Sequence, residues 1–137
     1  DGQWVRVRSG SCTTDCGPDD VYRIRAYDST YAVPRFNNSG TQVTVLIIQN
    51  PGPEPVDLTV HFWSPTGALL ASYSPASAVA PKALLVLTTS TVPGAAGQSG
   101  AMTVSHTAGY GGLAGKTVAL EPATGFSFDT PMVPLPH

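Results

Sequence analysis

The chain has 137 residues, of which only 12% are charged, and its formal net charge is −2 at pH 7. This length predicts one domain that can bury about two thirds of its unfolded surface. The few Lys and Arg residues are scattered, so no basic field favours nucleic acid as a partner. No apolar run approaches the roughly 18 residues that a membrane-spanning helix needs.

Two short stretches near the N-terminus alternate between apolar and other side chains. Residues 4–8 place Val5 and Val7 on one side of a predicted strand, and residues 21–27 repeat the alternation. We interpret residues 1–9 as a strand or arm that can add to the edge of a sheet. Val5 and Val7 would then be the side chains that fill pockets on the neighbour.

Cys12 and Cys16 are the only cysteines of the chain. Their spacing favours a disulfide that pins a small loop, and closing so short a loop contributes about 2 kcal/mol at most. A disulfide implies an oxidising compartment, so we expect a secreted or cell-surface protein. Zinc is the alternative, but two thiols without a nearby histidine provide only half of a zinc site.

Three aspartates, Asp15, Asp19 and Asp20, surround the turn Gly17-Pro18. Carboxylate oxygens suit a hard cation such as calcium, although this spacing matches no EF-hand loop. The stronger interpretation is a solvated turn, and calcium is the alternative. No histidine has a second ligand at metal spacing, so the sequence predicts no other metal and no cofactor.

The clearest strand signals lie in residues 41–63. Val43 to Ile48 forms an apolar, β-branched run flanked by turn residues, so it predicts a strand with both faces covered. The second half of the segment alternates instead, which predicts a buried face and an outward face carrying His61 and Trp63. This outward face is a candidate surface for a glycan or a protein, because sugars stack on flat aromatic rings.

Turn residues separate the other predicted strands. Asn37 begins the sequence Asn-Asn-Ser in one of these turns, which is a formal acceptor for N-glycosylation. The later strands are expected within residues 67–73, 82–89, 100–106 and 116–121.

Every predicted element is a strand, and no window shows sustained helical periodicity. Roughly seven to nine short strands predict an all-β, immunoglobulin-like antiparallel β-sandwich within residues 1–125. Prolines at positions 131, 134 and 136 exclude a central strand from the tail, so residues 126–137 are predicted as a C-terminal arm. The side chains by which this arm would contact a neighbour are Phe126, Phe128, Met132 and Leu135.

Two motifs are similar to nucleotide-binding or catalytic sequences. Gly115-Lys116-Thr117 lacks the upstream glycine of a P-loop and begins a predicted strand instead of a helix. Ser99 falls one residue short of a Gly-x-Ser-x-Gly elbow. No nucleophile with a base and no acid/base pair can be assembled, so the sequence predicts a protein that is not an enzyme.

Two segments, Tyr22 to Leu46 and Glu121 to Thr130, resemble β-sandwich modules appended to large secreted bacterial proteins. Gln49 to Val60, with a glycine-containing turn before an alternating strand, resembles CARDB-like and related immunoglobulin-like adhesion modules. The resemblance implies extracellular modules that act as spacers, adhesins or polymer subunits and that carry no catalytic residues.

Two functions remain as hypotheses. The first is a structural subunit that self-associates into a filament, a pilus-like fibre or a surface layer by lending an arm to a neighbour. The alternative is a monomeric extracellular module that binds a glycan or a cell-surface protein through loops at one end of the sandwich.

Overall fold

The computed structural model describes residues 30–135 of the chain, which form nine β-strands and one short 3-10 turn. The strands pair antiparallel in two sheets, which confirms the predicted all-β class. An immunoglobulin-like topology stays a prediction. The strands are β1 (Thr30–Asn37), β2 (Val43–Gln49), β3 (Leu58–Trp63), β4 (Leu69–Tyr73), β5 (Leu84–Thr88), β6 (Ser99–His106), β7 (Ala114–Glu121), β8 (Phe126–Pro131) and β9 (Val133–Pro134).

The two sheets differ in size and in strand order. The five-stranded sheet has the order β4-β3-β6-β1-β9, and the four-stranded sheet has the order β5-β2-β7-β8. The β3–β4 and β7–β8 pairs are hairpins, whereas all other consecutive strands lie in different sheets. Because the chain crosses repeatedly between the layers, most neighbours within a sheet are distant in sequence.

The core lies between the sheets and is built from inward side chains at alternate strand positions. Phe36 of β1 and Phe62 of β3 meet edge to face, with their ring centroids 5.2 Å apart. Leu46 and Ile48 are fully buried and come from β2 of the opposite sheet. The sandwich therefore joins both sheets through one continuous apolar layer.

Within the part of the chain that the structure describes, the two faces of residues 43–48 are covered unequally, whereas the sequence predicts that both are largely covered. The inward side chains of β2 are buried, but its outward side chains are only half-buried. The reason is that residues 30–135 supply a second layer on one side of the four-stranded sheet only. The half-buried side chains are Val43, Val45 and Ile47.

Residues 126–135 belong to the sandwich of their own chain. β8 pairs with β7, and β9 pairs with β1. Met132 is buried in the core, and the backbone N–H of Leu135 donates to the carbonyl oxygen of Thr30 at 2.9 Å. The boundary predicted at residue 125 therefore falls inside the fold, because β8 and β9 each complete one edge of a sheet.

β6 passes very close to the end of β3 at Gly100. A Cβ atom at this position would lie 1.9 Å from the carbonyl oxygen of Trp63, which no side chain can tolerate. The glycine therefore fixes how the end of β3 meets β6, and with it the position of Trp63.

Candidate functional site

The outward side of the four-stranded sheet is apolar over three adjacent strands. Leu84 and Val86 are each 60% exposed, and Leu120 is 39% exposed. Single exposed apolar residues are ordinary, but a contiguous patch marks an interaction surface. We call this surface the apolar face; its members are Val43, Val45, Ile47, Leu84, Val86, Val118 and Leu120.

Strand register brings these side chains together. Ile47 lies opposite Val86 of β5, and Val45 lies opposite Val118 of β7. Residues directly opposite each other in a sheet point to the same side, so the pairs form one surface. A shallow cavity of about 280 Å³ opens on it, lined in part by Ile47, Leu84 and Lys116.

One ion pair lies on the same outward side as the apolar face, because Lys116 is opposite Ile47 and Asp129 is opposite Val118. The Nζ atom of Lys116 lies 2.5 Å from Oδ2 of Asp129, and the two side chains are 47% and 54% exposed. An ion pair this exposed contributes less than about 1 kcal/mol to stability. Its main consequence is that the two charges cancel, which leaves the surface without a net charge near its centre.

The outward side of the five-stranded sheet is mainly polar over β3 and β6, whereas Leu69 and Val133 are exposed on its edge strands β4 and β9. His61 lies opposite Ser72 on one side and Thr103 on the other. Nδ1 of His61 and Oγ of Ser72 are 2.9 Å apart, and Nε1 of Trp63 donates to Oγ1 of Thr103 at 2.9 Å. We call this surface the polar face; its members are Thr59, His61, Trp63, Ser72, Thr103 and Ser105.

The sequence placed His61 and Trp63 on one outward face, and the structure does bring them together. Their ring centroids lie 6.2 Å apart, and both side chains are half-buried. The indole N–H already bonds within the sheet, so the ring lies against the neighbouring strand. The arrangement offers a ring surface beside several hydroxyl groups, which suits a neutral polar ligand.

A cleft of about 330 Å³ adjoins the polar face at one end of the sandwich. Asp57, Ser74, Ser77, Ser105 and His106 are among the residues that line it. The cleft lies between the start of β3, the end of β6 and the loop after β4, and the polar groups of its lining include several hydroxyl groups and one carboxylate. This lining can hydrogen-bond a polar ligand.

His106 is the buried titratable group of that cleft. Its side chain is 7% exposed, and its ring centroid lies 5.2 Å from the ring of Tyr31. Burial penalises the imidazolium form, and this lowers the pKa of His106 below its ordinary value. The hydroxyl of Tyr31 donates to the carbonyl oxygen of Leu113 at 2.7 Å, which anchors the adjacent loop.

Several predicted site residues lie outside residues 30–135. These are the proposed disulfide pair, the calcium candidates and the N-terminal arm side chains: Cys12, Cys16, Asp15, Asp19, Asp20, Val5 and Val7. Within residues 30–135, no three His, Cys, Asp or Glu side chains come close enough together to hold a metal ion.

Asn37, the predicted glycosylation acceptor, ends β1 and is half-buried. Its Nδ2 atom donates to Oε1 of Gln42 at 2.7 Å, and its Oδ1 atom accepts the backbone N–H of Ser39 at 2.9 Å. The side chain thus organises the turn between β1 and β2. Modification of Asn37 stays a prediction; it would take one of the two N–H groups of Nδ2, the atom that donates to Gln42.

Phe126 and Phe128 lie on β8 and are 75% and 42% exposed. The guanidinium carbon of Arg35 lies 4.8 Å from the centroid of the Phe128 ring, a cation–π contact that ties β8 to β1. Together with Met132 and Leu135 these residues were predicted to contact a neighbouring copy. That role stays a prediction, and Phe126 is the member most available for it.

Sequence reasoning missed the strand that contributes most to the apolar face. The sequence predicts a strand within residues 82–89, but the predicted site residues do not include Leu84 and Val86. A signal was present, because Leu84-Leu-Val-Leu87 is apolar at every position although a strand with one layer behind it needs apolar residues only at alternate positions.

Comparison of the chain with protein-family models, curated proteins and solved structures found no match. In the range that the structure describes, no helix has the length and apolar character required to cross a membrane.

Proposed function

We propose that this chain is a non-enzymatic extracellular structural subunit that self-associates, and that its copies pack through the apolar face. The observation that carries the proposal is the exposure of Leu84 and Val86, each 60% exposed, on the edge strand of an apolar surface that spans three strands. The low charge content and the resemblance to secreted modules support the extracellular setting.

A second copy of the same face is the occupant that suits this surface. Two sheets that pack face to face lie about 10 Å apart and interdigitate apolar side chains, as the two sheets of this sandwich already do internally. The half-buried Val45 and Ile47 would then gain the second covered side that their sequence pattern predicts, and Val118 would be covered with them. Each buried Å² of apolar surface contributes about 25 cal/mol to such an association.

The experiment measures the oligomeric state of the full chain over a range of concentrations by analytical ultracentrifugation. Val118→Lys adds a charge to the apolar face, and we expect it to weaken self-association by at least about tenfold. Ser72→Lys is the matched control, because it puts the same charge on an exposed strand position of the polar face.

Circular dichroism and thermal unfolding would first establish that both variants fold. A wild-type chain that stays monomeric at every concentration would refute the proposed function. Equal weakening by the two lysine substitutions would also count against it, because a contact through the apolar face is insensitive to Ser72.

The polar face supports a second candidate function, the binding of a neutral glycan. The supporting observation is that Trp63 and His61 lie side by side among hydroxyl groups. A glycan array with the wild-type chain tests this function directly. We expect Trp63→Ala to abolish any signal and Trp63→Phe to retain part of it, because a phenyl ring still stacks on a sugar. A glycan array without any signal would refute glycan binding as a function.

A further inference from the structure

Within residues 30–135 the two sheets have four edge strands, and three of them carry features that prevent pairing with another strand. β8 contains Asp129 and Pro131, and β9 has only two residues, one of them Pro134. The pairing of β4 with β3 contains a register irregularity between Phe62 and Trp63. Charges, prolines, bulges and short length are the devices by which proteins protect sheet edges.

β5 carries none of these devices. Its five residues, Leu84 to Thr88, include no charge, proline or glycine, and they pair with β2 in an uninterrupted register. No charged residue occurs between Lys82 and Lys116. An exposed, regular and neutral edge of this kind is a template for another strand.

The hydrogen-bond pattern identifies which backbone groups of β5 point outward. The N–H of Asn50 donates to the carbonyl oxygen of Ala83 at 3.0 Å, one position beyond the Gln49–Leu84 pair. Hydrogen-bonded pairs alternate in an antiparallel ladder, so Leu85 also bonds toward β2. The N–H and C=O groups of Leu84, Val86 and Thr88 therefore point away from β2. The carbonyl oxygen of Thr88 accepts a bond from Oγ1 of Thr91 at 2.8 Å on this side.

We propose that β5 pairs antiparallel with β5 of a second copy, about a two-fold axis at Val86, to form a continuous eight-stranded sheet. This inference rests on the proposed function, because it names the edge contact within the same self-association. Val86 would exchange two hydrogen bonds with the partner's Val86. Leu84 would pair with the partner's Thr88 at each end.

Charge and side-chain placement fit this arrangement. In the antiparallel pair the two copies of Lys82 lie at opposite ends, about 26 Å apart at about 3.3 Å per residue. The outward side chains Leu84 and Val86 then continue across the two-fold axis, so the apolar faces of both copies form one surface. Edge pairing and face packing use different surfaces, so one chain can make both contacts at the same time.

Val86→Pro tests the edge contact specifically. Proline removes only the N–H of Val86, which points away from β2, so the pairing of β5 with β2 is retained. Val86→Thr is the matched control, because it keeps the N–H and the β-branched shape. In a Val118→Lys background, where the apolar-face contact is weakened, we expect Val86→Thr to remain dimeric and Val86→Pro to dissociate at least about tenfold more readily.

A cysteine cross-link supplies a second measurement if Val86→Pro does not fold. Opposed residues in a hydrogen-bonded antiparallel pair have Cα atoms about 5.5 Å apart, which is within disulfide range. Oxidised Val86→Cys should give a covalent dimer linked through residue 86 of both copies. Wild type, with Cys12 and Cys16 alone, and Ser72→Cys should not give this product.

The outcomes separate this inference from the proposed function. If Val118→Lys changes the assembly but Val86→Pro behaves as Val86→Thr, the edge contact is refuted and the proposed function stands. If Val86→Pro alone changes the assembly, the edge contact stands and packing through the apolar face is refuted. A disulfide from the cysteine at position 86 to Cys12 or Cys16 of the same chain would overturn the inference. It would mean that the N-terminal part of the same chain, and not a second copy, lies along β5.

Discussion

The two outward surfaces of this sandwich differ in chemistry although both belong to antiparallel sheets of the same core. On the polar face, alternate positions carry Ser, Thr and His side chains that hydrogen-bond to one another, such as His61 with Ser72. On the side of the apolar face, most of the equivalent positions of β2, β5 and β7 carry Val, Ile and Leu, and only Gln49, Thr88 and Lys116 are polar; residues 30–135 supply no partner layer over them.

Contact with solvent explains the residues of the polar face, but it does not explain the residues of the apolar face. A sheet that faces water on one side normally alternates apolar with polar residues, as β3 does. β2 keeps apolar residues on its outward side, which would cost solubility if the surface stayed exposed. The comparison therefore favours the four-stranded sheet over the five-stranded sheet as the surface for the proposed self-association.

The largest loss of stability is expected where the backbones of β3 and β6 come closest, at Gly100 beside the polar face. Gly100→Ala forces a Cβ atom onto the carbonyl oxygen of Trp63, so we expect a loss of about 3 kcal/mol in the free energy of unfolding. Gly97→Ala is the control, since a Cβ there meets no atom within 4 Å and only its φ of 69° is costly, by about 1 kcal/mol. Urea unfolding measures both values, and equal losses would contradict the close approach.

The next effect concerns the cleft beside the polar face and depends on pH. The folded state lowers the pKa of His106, so the unfolded chain binds more protons than the folded chain below about pH 6.5. Stability should be full at neutral pH, fall as the pH drops through about 6.5, and level off below the folded pKa. Urea unfolding at about pH 7.5 and about pH 5.5 measures the change.

His106→Gln should remove this pH dependence, whereas His61→Gln should retain it because His106 is intact. If the stability of His106→Gln still depends on pH in this range, a group other than His106 causes the dependence.

A smaller effect is expected from the hydrogen bond that orients Trp63. Thr103→Val removes the acceptor of the indole N–H, and we expect a loss of about 1 kcal/mol together with a shift in tryptophan emission. Thr59→Val breaks a bond to Ser74 on the same face without touching Trp63. It should therefore leave the emission unchanged, and a similar shift in both variants would contradict the assignment.

The smallest effect is expected at the ion pair beside the apolar face. Because both side chains are about half exposed, Lys116→Met should change the stability of the monomer by less than about 1 kcal/mol. The same substitution extends the apolar face and should strengthen self-association. Lys82→Met removes a lysine outside the apolar face and should not strengthen self-association. Analytical ultracentrifugation of the two variants measures this difference.

Much of the fold could be predicted because strand signals are local. The alternation in residues 56–63 placed Phe62 inside and His61 and Trp63 outside, and the structure agrees. The predicted strand at residues 116–121 was also recovered, as part of β7. Periodicity of two fixes which side chains share a face, whatever the neighbouring strands are.

Sheet order and edge positions could not be predicted in this way. The run from Val43 to Ile48 predicts a strand covered on both sides, but its neighbours, β5 and β7, come from sequence positions far away. Whether an apolar side chain is buried depends on which layer lies over it. That depends on the crossings of the whole chain and not on the residues of one strand.

The sequence by itself determined an all-β chain and the two sides of each strand, since both follow from local spacing and turn residues. Only the tertiary structure decided that β5 is an edge and that its outward residues join those of β2 and β7 in one apolar face. The physical reason is that pairing between distant strands, set by burial of a common core, determines which backbone groups and which side chains remain available to another molecule.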